Sequence, residues 1–262
     1  MNLDLTHKNA IVCGSTQGLG KASAVELALL GANITLVARN ETSLQNTLLD
    51  LDTSKGQQHQ YFVADFAKPD ELKAAVEAYL AQNPTVHILV NNTGGPAGGA
   101  ILDAKLEEFT QAFSNHLLCN HILVQACVPS MKANGFGRII NIISTSVKQP
   151  INGLGVSNTT RGAVASWAKT LANEVGAFGI TVNNVLPGYT KTARLDFVVK
   201  ARAKMAETST EQMEKIFQSD IPAGRFGEAE EFGAAVAFLC SPAAAYINGV
   251  NLPVDGGRLS CL

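Results

Sequence analysis

The chain carries no strong charge of either sign. Its formal net charge is -2 over 262 residues, and lysine and arginine are scattered rather than clustered. That leaves no electrostatic footprint for nucleic acid or for an anionic membrane face. No stretch reaches roughly 18 uninterrupted apolar residues, so no membrane span is expected. The opening "MNLDLTHKNAIVCG" runs straight into a strand, without the pattern of a signal or transit peptide. Cysteine is sparse and unpaired. Cys13, Cys119, Cys127, Cys240 and Cys261 are odd in number and form no CxxC pair. The expectation is buried, inert thiols in a reducing cytoplasm, and no metal site. Tyrosine is scarce too. Only Tyr61, Tyr79, Tyr189 and Tyr246 can offer a phenol to any chemistry.

What is present is apolar residue in quantity, 46% of the chain, enough to bury a sizeable core in one domain. It is distributed in short runs at 9–13, 33–38, 60–64, 86–90, 138–143 and 180–186. Each is rich in Val or Ile, as strands covered on both faces require. Helical patterns lie between them at 18–30, 69–81, 106–133 and 155–178. Pro69 stands at a helix start, where its missing N–H costs nothing. Such alternation predicts an α/β fold, a single-domain doubly wound parallel sheet, Rossmann-like, with helices on both faces. One dinucleotide-binding domain is expected over 1–262. Residues 189–222 break the rhythm, being polar and rich in Ala, Lys and Glu. They read as a helical lid over a ligand cleft.

The turn after the first strand is "CGSTQGLGKA". Gly14, Gly18 and Gly20 follow the spacing GxxxGxG, which suits a tight turn, close backbone approach and a helix N-terminus aimed at a pyrophosphate. Ser15, Thr16, Gln17 and Leu19 complete the turn. The spacing differs from the usual GxGxxG fingerprint. It resembles that of the short-chain dehydrogenase/reductase family. The resemblance runs through "VNNTGGP" (90–96), like that family's NNAG element with Thr93 in place of Ala, and "LPGYTKT" (186–192), like its PG-x-x-x-T element. It continues into "IPAGRFGEAEEFGAAVAFLCSP" and "INGVNLPVDGG". The chain resembles the β-ketoacyl-carrier-protein reductase branch of that family. They imply cofactor contacts at Asn92, Gly94, Pro187, Gly188, Thr190 and Thr192. Asp65, with Phe66 beside it, is implied as the acceptor for the adenine amino group, or else caps a helix. At the end of the second strand Arg39 occupies the place where an acidic residue often holds the ribose. Its planar donor fork matches a phosphate, so NADP(H) is the expected cofactor.

The resemblance also implies a catalytic set, and here the chain departs from it. Ser144 matches the family serine that bonds the carbonyl oxygen. Thirteen residues on, Ser157 stands where the family has the tyrosine that acts as general acid. Arg161 stands at the place of its lysine. The family asparagine falls on His116, or on Asn115 if the helix register slips by one. A serine hydroxyl is a far weaker acid than a phenol and shorter by about an aromatic ring. Arg161 can still bind ribose hydroxyls but cannot give up its proton. Ser157 also has a plain reading, as part of an "SNTT" helix cap. Replacement acids are Tyr189, beside the nicotinamide or packed under the lid, and His116, whose imidazole would titrate near 6.5 or sit in the core.

Two functions remain open. One is an NADP(H)-dependent oxidoreductase acting on a small-molecule carbonyl or acyl-thioester substrate, with an atypical catalytic set. The other is a cofactor-binding protein or partner subunit without activity. Lys191, Arg194, Lys200 and Arg202 in the lid suit an anionic ligand or a solvated helix face. A homotetramer or homodimer is expected, because 106–133 and 155–178 are apolar on more than one face.

Overall fold

Seven parallel strands form one sheet in this computed structural model, which describes residues 1–261. They are β1 (Asn9–Cys13), β2 (Asn33–Ala38), β3 (Gln60–Val63), β4 (Ile88–Asn91), β5 (Gly137–Ile142), β6 (Ile180–Pro187) and β7 (Asn251–Val254). Their spatial order is β3-β2-β1-β4-β5-β6-β7. Every neighbouring pair is parallel, which is the doubly wound α/β arrangement the alternation predicted. The apolar runs mark the strands because both faces of the sheet are covered. Ala10 and Val12 pack with Leu27 of helix α1 (Gly18–Leu29) and Phe232 of α9 (Ala229–Cys240). Ile11 and Cys13 face the other way, onto Leu72 of α3 (Pro69–Gln82), Leu123 of α5 (Cys119–Ala133) and Ala168 of α6 (Gly155–Val175).

A short α2 (Glu41–Leu48), capped by the Asn40 side chain accepting from the Ser43 amide at 2.8 Å, follows β2. The helix expected over 106–133 is not continuous. It is α4 (Leu106–Phe113), then a π-helical turn over Ser114–Leu118, then α5. A wide turn of this kind inserts one extra residue and re-aims the side chains around it. The segment 189–222 folds as two helices, α7 (Ala193–Met205) and α8 (Thr210–Ser219), whose apolar sides make a separate small core of Leu195, Val199, Met213, Phe217 and Phe226.

Four asparagines cross the sheet at matched register: Asn91 opposite Asn141, Asn141 opposite Asn184, and Asn184 opposite Asn251. Each side-chain amide donates to the oxygen of the next, at 2.9, 2.9 and 2.8 Å. The oxygen at the head of the row, Asn91 Oδ1, is buried with no partner. Cys13, Cys119, Cys127 and Cys240 are buried free thiols, and Cys261 is exposed. Among the described residues, no helix is long and apolar enough to cross a membrane, and no cluster of three His, Cys, Asp or Glu could hold a metal.

Candidate functional site

From β1 the chain winds one way, to β2 and β3. From β4 it winds the other way, to β5, β6 and β7. The carboxyl ends of β1 and β4 therefore flank the point of reversal, where a doubly wound sheet leaves a crevice. The glycine turn leaves β1 at that point. Gly14 adopts a φ of +57°, and a Cβ on it would come within 2.6 Å of the Asn92 amide nitrogen. A Cβ on Gly20 would run into the Gly14 carbonyl oxygen. Asn92, just past β4, closes the turn by donating to the carbonyls of Cys13 (3.3 Å) and Gly14 (3.2 Å).

The helix N-terminus above this turn is bare. Gln17 is the N-cap of α1 but makes no side-chain cap bond, and the first turn carries no acidic residue. Free amides and the positive end of the helix dipole make a site for an anion, so the residues present fit a phosphate group. Not every residue of the turn is available to it. The Ser15 hydroxyl is buried and engaged with β2, accepting from the Val37 amide (3.0 Å) and facing its carbonyl (3.4 Å). Thr16 is half-buried and Gln17 exposed. Leu19 packs against the core beneath. Arg39, the residue after β2, is exposed, with no carboxylate in ion-pair reach among the described residues.

On the far side of the crevice, Pro187 and Gly188 lead out of β6. A Cβ on Gly188 would meet the Asp255 backbone at 2.5 Å. Thr190 is buried and pairs with Gly227. Thr192 caps α7 by accepting from the Leu195 amide (3.3 Å), and its methyl lies 3.4 Å from where a Gly18 Cβ would stand. The 189–222 segment is thereby anchored beside the glycine turn. Asp65 Oδ1 accepts from the Ala67 amide (3.0 Å), closing a turn ahead of α3 rather than capping it. Phe66 is buried, and its carbonyl takes the Cys119 thiol (3.3 Å). Gly94 stands in open space.

Deeper in the crevice the structure brings Arg161 and His116 together. Arg161 projects from α6 and is only 8% exposed. Its Nη1 donates to the Ile142 carbonyl at the end of β5 (3.1 Å). A Cβ on Gly95 would lie 3.7 Å from its Nη2. Burial pushes its pKa down to about 10, which still leaves it charged. No acidic side chain pairs with it among the described residues. His116, in the π turn, is buried against α6. Burial, with the Arg161 charge facing it, pushes His116 down to about 3. It is therefore neutral at ordinary pH, not poised near 6.5 as its residue type suggested. Asn115 points elsewhere: oriented to satisfy its surroundings, its amide donates to the Phe66 carbonyl at 2.8 Å.

Ser144 caps a short 3-10 turn after β5, its Oγ accepting from the Ser146 amide (3.1 Å), and α6 packs on that turn. Ser157 is half-buried one helical turn before Arg161. It does not cap α6, because the helix begins at Gly155 with Leu154 as its N-cap. Tyr189 lies in the small core of the 189–222 segment, stacked on Phe217 with ring centroids 4.7 Å apart and planes at 13°. Sequence reasoning missed Arg258, which covers the other face of Tyr189 and carries no local pattern that would have marked it. Arg202, one of the lid cations, reaches from α7 to within 3.5 Å of where a Gly153 Cβ would stand at the entry to α6.

A family profile described as "Enoyl-(Acyl carrier protein) reductase" matches residues 14–258. The chain is 34% identical to a tropinone reductase homolog of Arabidopsis thaliana, At2g29260, over 97% of this chain and 76% of that one. It is 35% identical to the 3-oxoacyl-[acyl-carrier-protein] reductase FabG of Haemophilus influenzae, over 95% and 97%. Among solved structures, L-sorbose reductase from Gluconobacter frateurii, complexed with NADPH and L-sorbose, superposes with a TM-score of 0.93 at 31% identity, covering 100% of both chains. Likeness of this length, in sequence and in fold alike, means that the chain belongs to the short-chain dehydrogenase/reductase family of oxidoreductases.

Proposed function

We propose that this chain is an NADP(H)-dependent oxidoreductase acting on a small carbonyl compound or acyl thioester, with an altered proton-handling set. The observation that carries the reading is the uncapped N-terminus of α1 over a glycine turn that tolerates no side chain at Gly14 or Gly20. The α1 amides would take the pyrophosphate, Arg39 the extra phosphate of NADP(H), and Arg161 the nicotinamide ribose. Asp65, Gly94, Pro187, Gly188, Thr190 and Thr192 would line the remainder. Bound there, the dinucleotide supplies a hydride. The α7–α8 pair, tied to the turn through Thr192 and reaching the α6 entry through Arg202, acts as a lid that excludes water. Relatives and neighbours named as reductases of carbonyl compounds, one of them holding NADPH, support this reading. The test is titration with NADPH and NADH. Micromolar binding of NADPH and weaker binding of NADH is the expected result, and binding of neither defeats the reading.

A second reading, a cofactor-binding protein without turnover, is favoured by one observation. Ser157 and Arg161 stand where the family has tyrosine and lysine, and Tyr189 is stacked away in the lid core. Either form is proposed to assemble as a homodimer or homotetramer. Leu102, Leu106 and Leu118 on and around α4 stay exposed in the single chain, and sedimentation gives the state directly.

A further inference from the structure

We infer that the chain has a second small-molecule site, at the end of the sheet opposite the cofactor crevice, which takes a neutral polyhydroxylated compound of monosaccharide size. The site is separate from the proposed reaction and does not depend on it. The crevice lies at the carboxyl ends of the strands. At their amino ends, the first residues of β1, β2 and β3 (Asn9, Asn33 and Gln60) border a cavity of about 310 Å³. That volume stands near the lower bound of the roughly 300–1,000 Å³ usual for small-molecule sites. Among the described residues, no Lys, Arg, Asp or Glu lines it, and Pro84 is its one aliphatic side chain.

The side chains around this cavity hold one another in place. One chain of bonds runs from the Gln58 backbone amide to Asn33 Oδ1 (2.8 Å), from Asn33 Nδ2 to Asn9 Oδ1 (2.9 Å), and from Asn9 Nδ2 to the Thr85 carbonyl (3.0 Å). A second joins the Thr35 and Tyr79 hydroxyls (2.7 Å), with Gln60 Nε2 donating both to the Tyr79 hydroxyl (3.0 Å) and to Asn83 Oδ1 (3.1 Å). Thr35 is only 3% exposed, so this second chain is rooted in the sheet. Four polar groups bordering the same cavity are left over. The side-chain amides of Gln58 and Gln82, the Gln60 Oε1 and the Thr85 hydroxyl make no hydrogen bond to protein among the described residues. Closing the end of the sheet requires the bonded groups. It does not require these four.

Their chemistry selects the ligand class. An amide offers a donor and an acceptor side by side, and a hydroxyl can both donate and accept. Adjacent hydroxyls on one molecule therefore match a side-chain amide at both ends. An anion or a cation would lose its hydration here and find no opposite charge in return. An apolar ligand would find little besides Pro84. A flat aromatic ligand would need a ring to stack on, and the Tyr79 ring is already packed on Phe62, with centroids 5.1 Å apart. A neutral polyol is the class whose lost hydration this lining replaces.

Saturation-transfer NMR on the full chain tests this, with D-sorbitol and methyl α-D-glucopyranoside as probes. Neither carries a free carbonyl, so NADPH cannot turn them over. Each is titrated with and without NADPH, beside inorganic phosphate. The expected result is saturable millimolar binding of at least one of the two, equal with and without NADPH, and no saturation by phosphate. Binding should weaken at least tenfold in Gln60→Ala with Gln82→Ala, two exposed positions, with an unchanged Tm showing that the variant is folded. On the 15N-labelled chain the probe should shift the backbone amides of Asn33 and Thr85 and leave those of Gly14 and Gly18 in place. No saturation by either probe overturns the inference. So does binding that NADPH displaces or that survives the double substitution, since the probe then lies elsewhere. Phosphate binding that the double substitution weakens overturns the ligand class. Failure of NADPH to bind leaves this result unaffected and counts only against the cofactor reading.

Discussion

The guanidinium of Arg258 lies over the Tyr189 ring, 4.3 Å from its centroid, and its Nη2 donates to the Tyr189 hydroxyl at 3.1 Å. With Phe217 on the opposite face, the tyrosine is the middle layer of a three-part stack joining the C-terminal tail to helix α8. A side chain held in this way supports the packing of α8 and is a poor candidate for proton transfer. Tyr189→Phe keeps both stacking faces and loses one hydrogen bond. The expected cost is about 1 kcal/mol of stability, read as a small fall in Tm, with turnover changed less than twofold. Loss of turnover would make Tyr189 the acid after all.

Arg39 is exposed, with no ion-pair partner among the described residues. Hydrogen bonds to a charged group are worth about 1.5–3 kcal/mol. Arg39→Asp should therefore weaken NADPH binding by roughly 10- to 100-fold, at about tenfold per 1.4 kcal/mol, while leaving NADH binding equal or tighter. Fluorescence titration of both cofactors on both proteins measures it. Equal affinities in the wild type would remove the role given to Arg39.

Ser157 sits one turn before Arg161 on an intact helix, so a phenol can be introduced there ahead of the cation. Ser157→Tyr with Arg161→Lys should raise the reduction of small activated ketones at least tenfold, within the roughly 10²–10⁴-fold that general acid catalysis supplies. NADPH affinity should change little. Ser157→Tyr alone should gain less, because the wider arginine head crowds the new ring. Steady-state rates on the three proteins decide it.

His116 and His87 are both buried and lowered, to about 3 and about 4, mainly by burial. Unfolded, each titrates near 6.5. Between those values the unfolded chain binds more protons than the native one, so stability falls as pH falls. The contribution is fully present above about pH 6.5 and is lost progressively down to about 3. Urea midpoints measured from pH 7.5 to 4.5 should decline, and His116→Asn should flatten the decline. An unchanged slope would mean that His116 is not buried in its neutral form.

Much of this architecture was legible because it depends on local pattern. The apolar runs at 9–13 and 33–38 coincide with β1 and β2, since a strand covered on both faces has no polar option. The glycine turn was legible for a similar reason: its spacing is set by contacts within a few residues. What stayed hidden depends on residues meeting from afar. The π turn that buries His116 and turns Asn115 toward Phe66 is a property of the backbone ladder, and a periodicity of apolar residues does not resolve it. The burial of Arg161 against Ile142 and the capture of Tyr189 by Phe217 and Arg258 arise only once α6 and α8 are packed. The acidity of His116 followed the same course, because residue type sets only its starting value.

The row of asparagines from Asn91 to Asn251 gives the sheet a way to check its own alignment. Backbone pairing in a parallel sheet is nearly indifferent to a slip of one residue, whereas these amides meet only in the native setting. A slipped β5 would strand Asn141 from both neighbours at once, at about 1–3 kcal/mol for each buried group left unmet, and would turn its apolar residues to the wrong side. The row also has a direction, with every amide donating toward β7. Strand β7, at the end of the row, is therefore held in the one setting that carries Asp255 under the outlet of β6 and Arg258 over Tyr189.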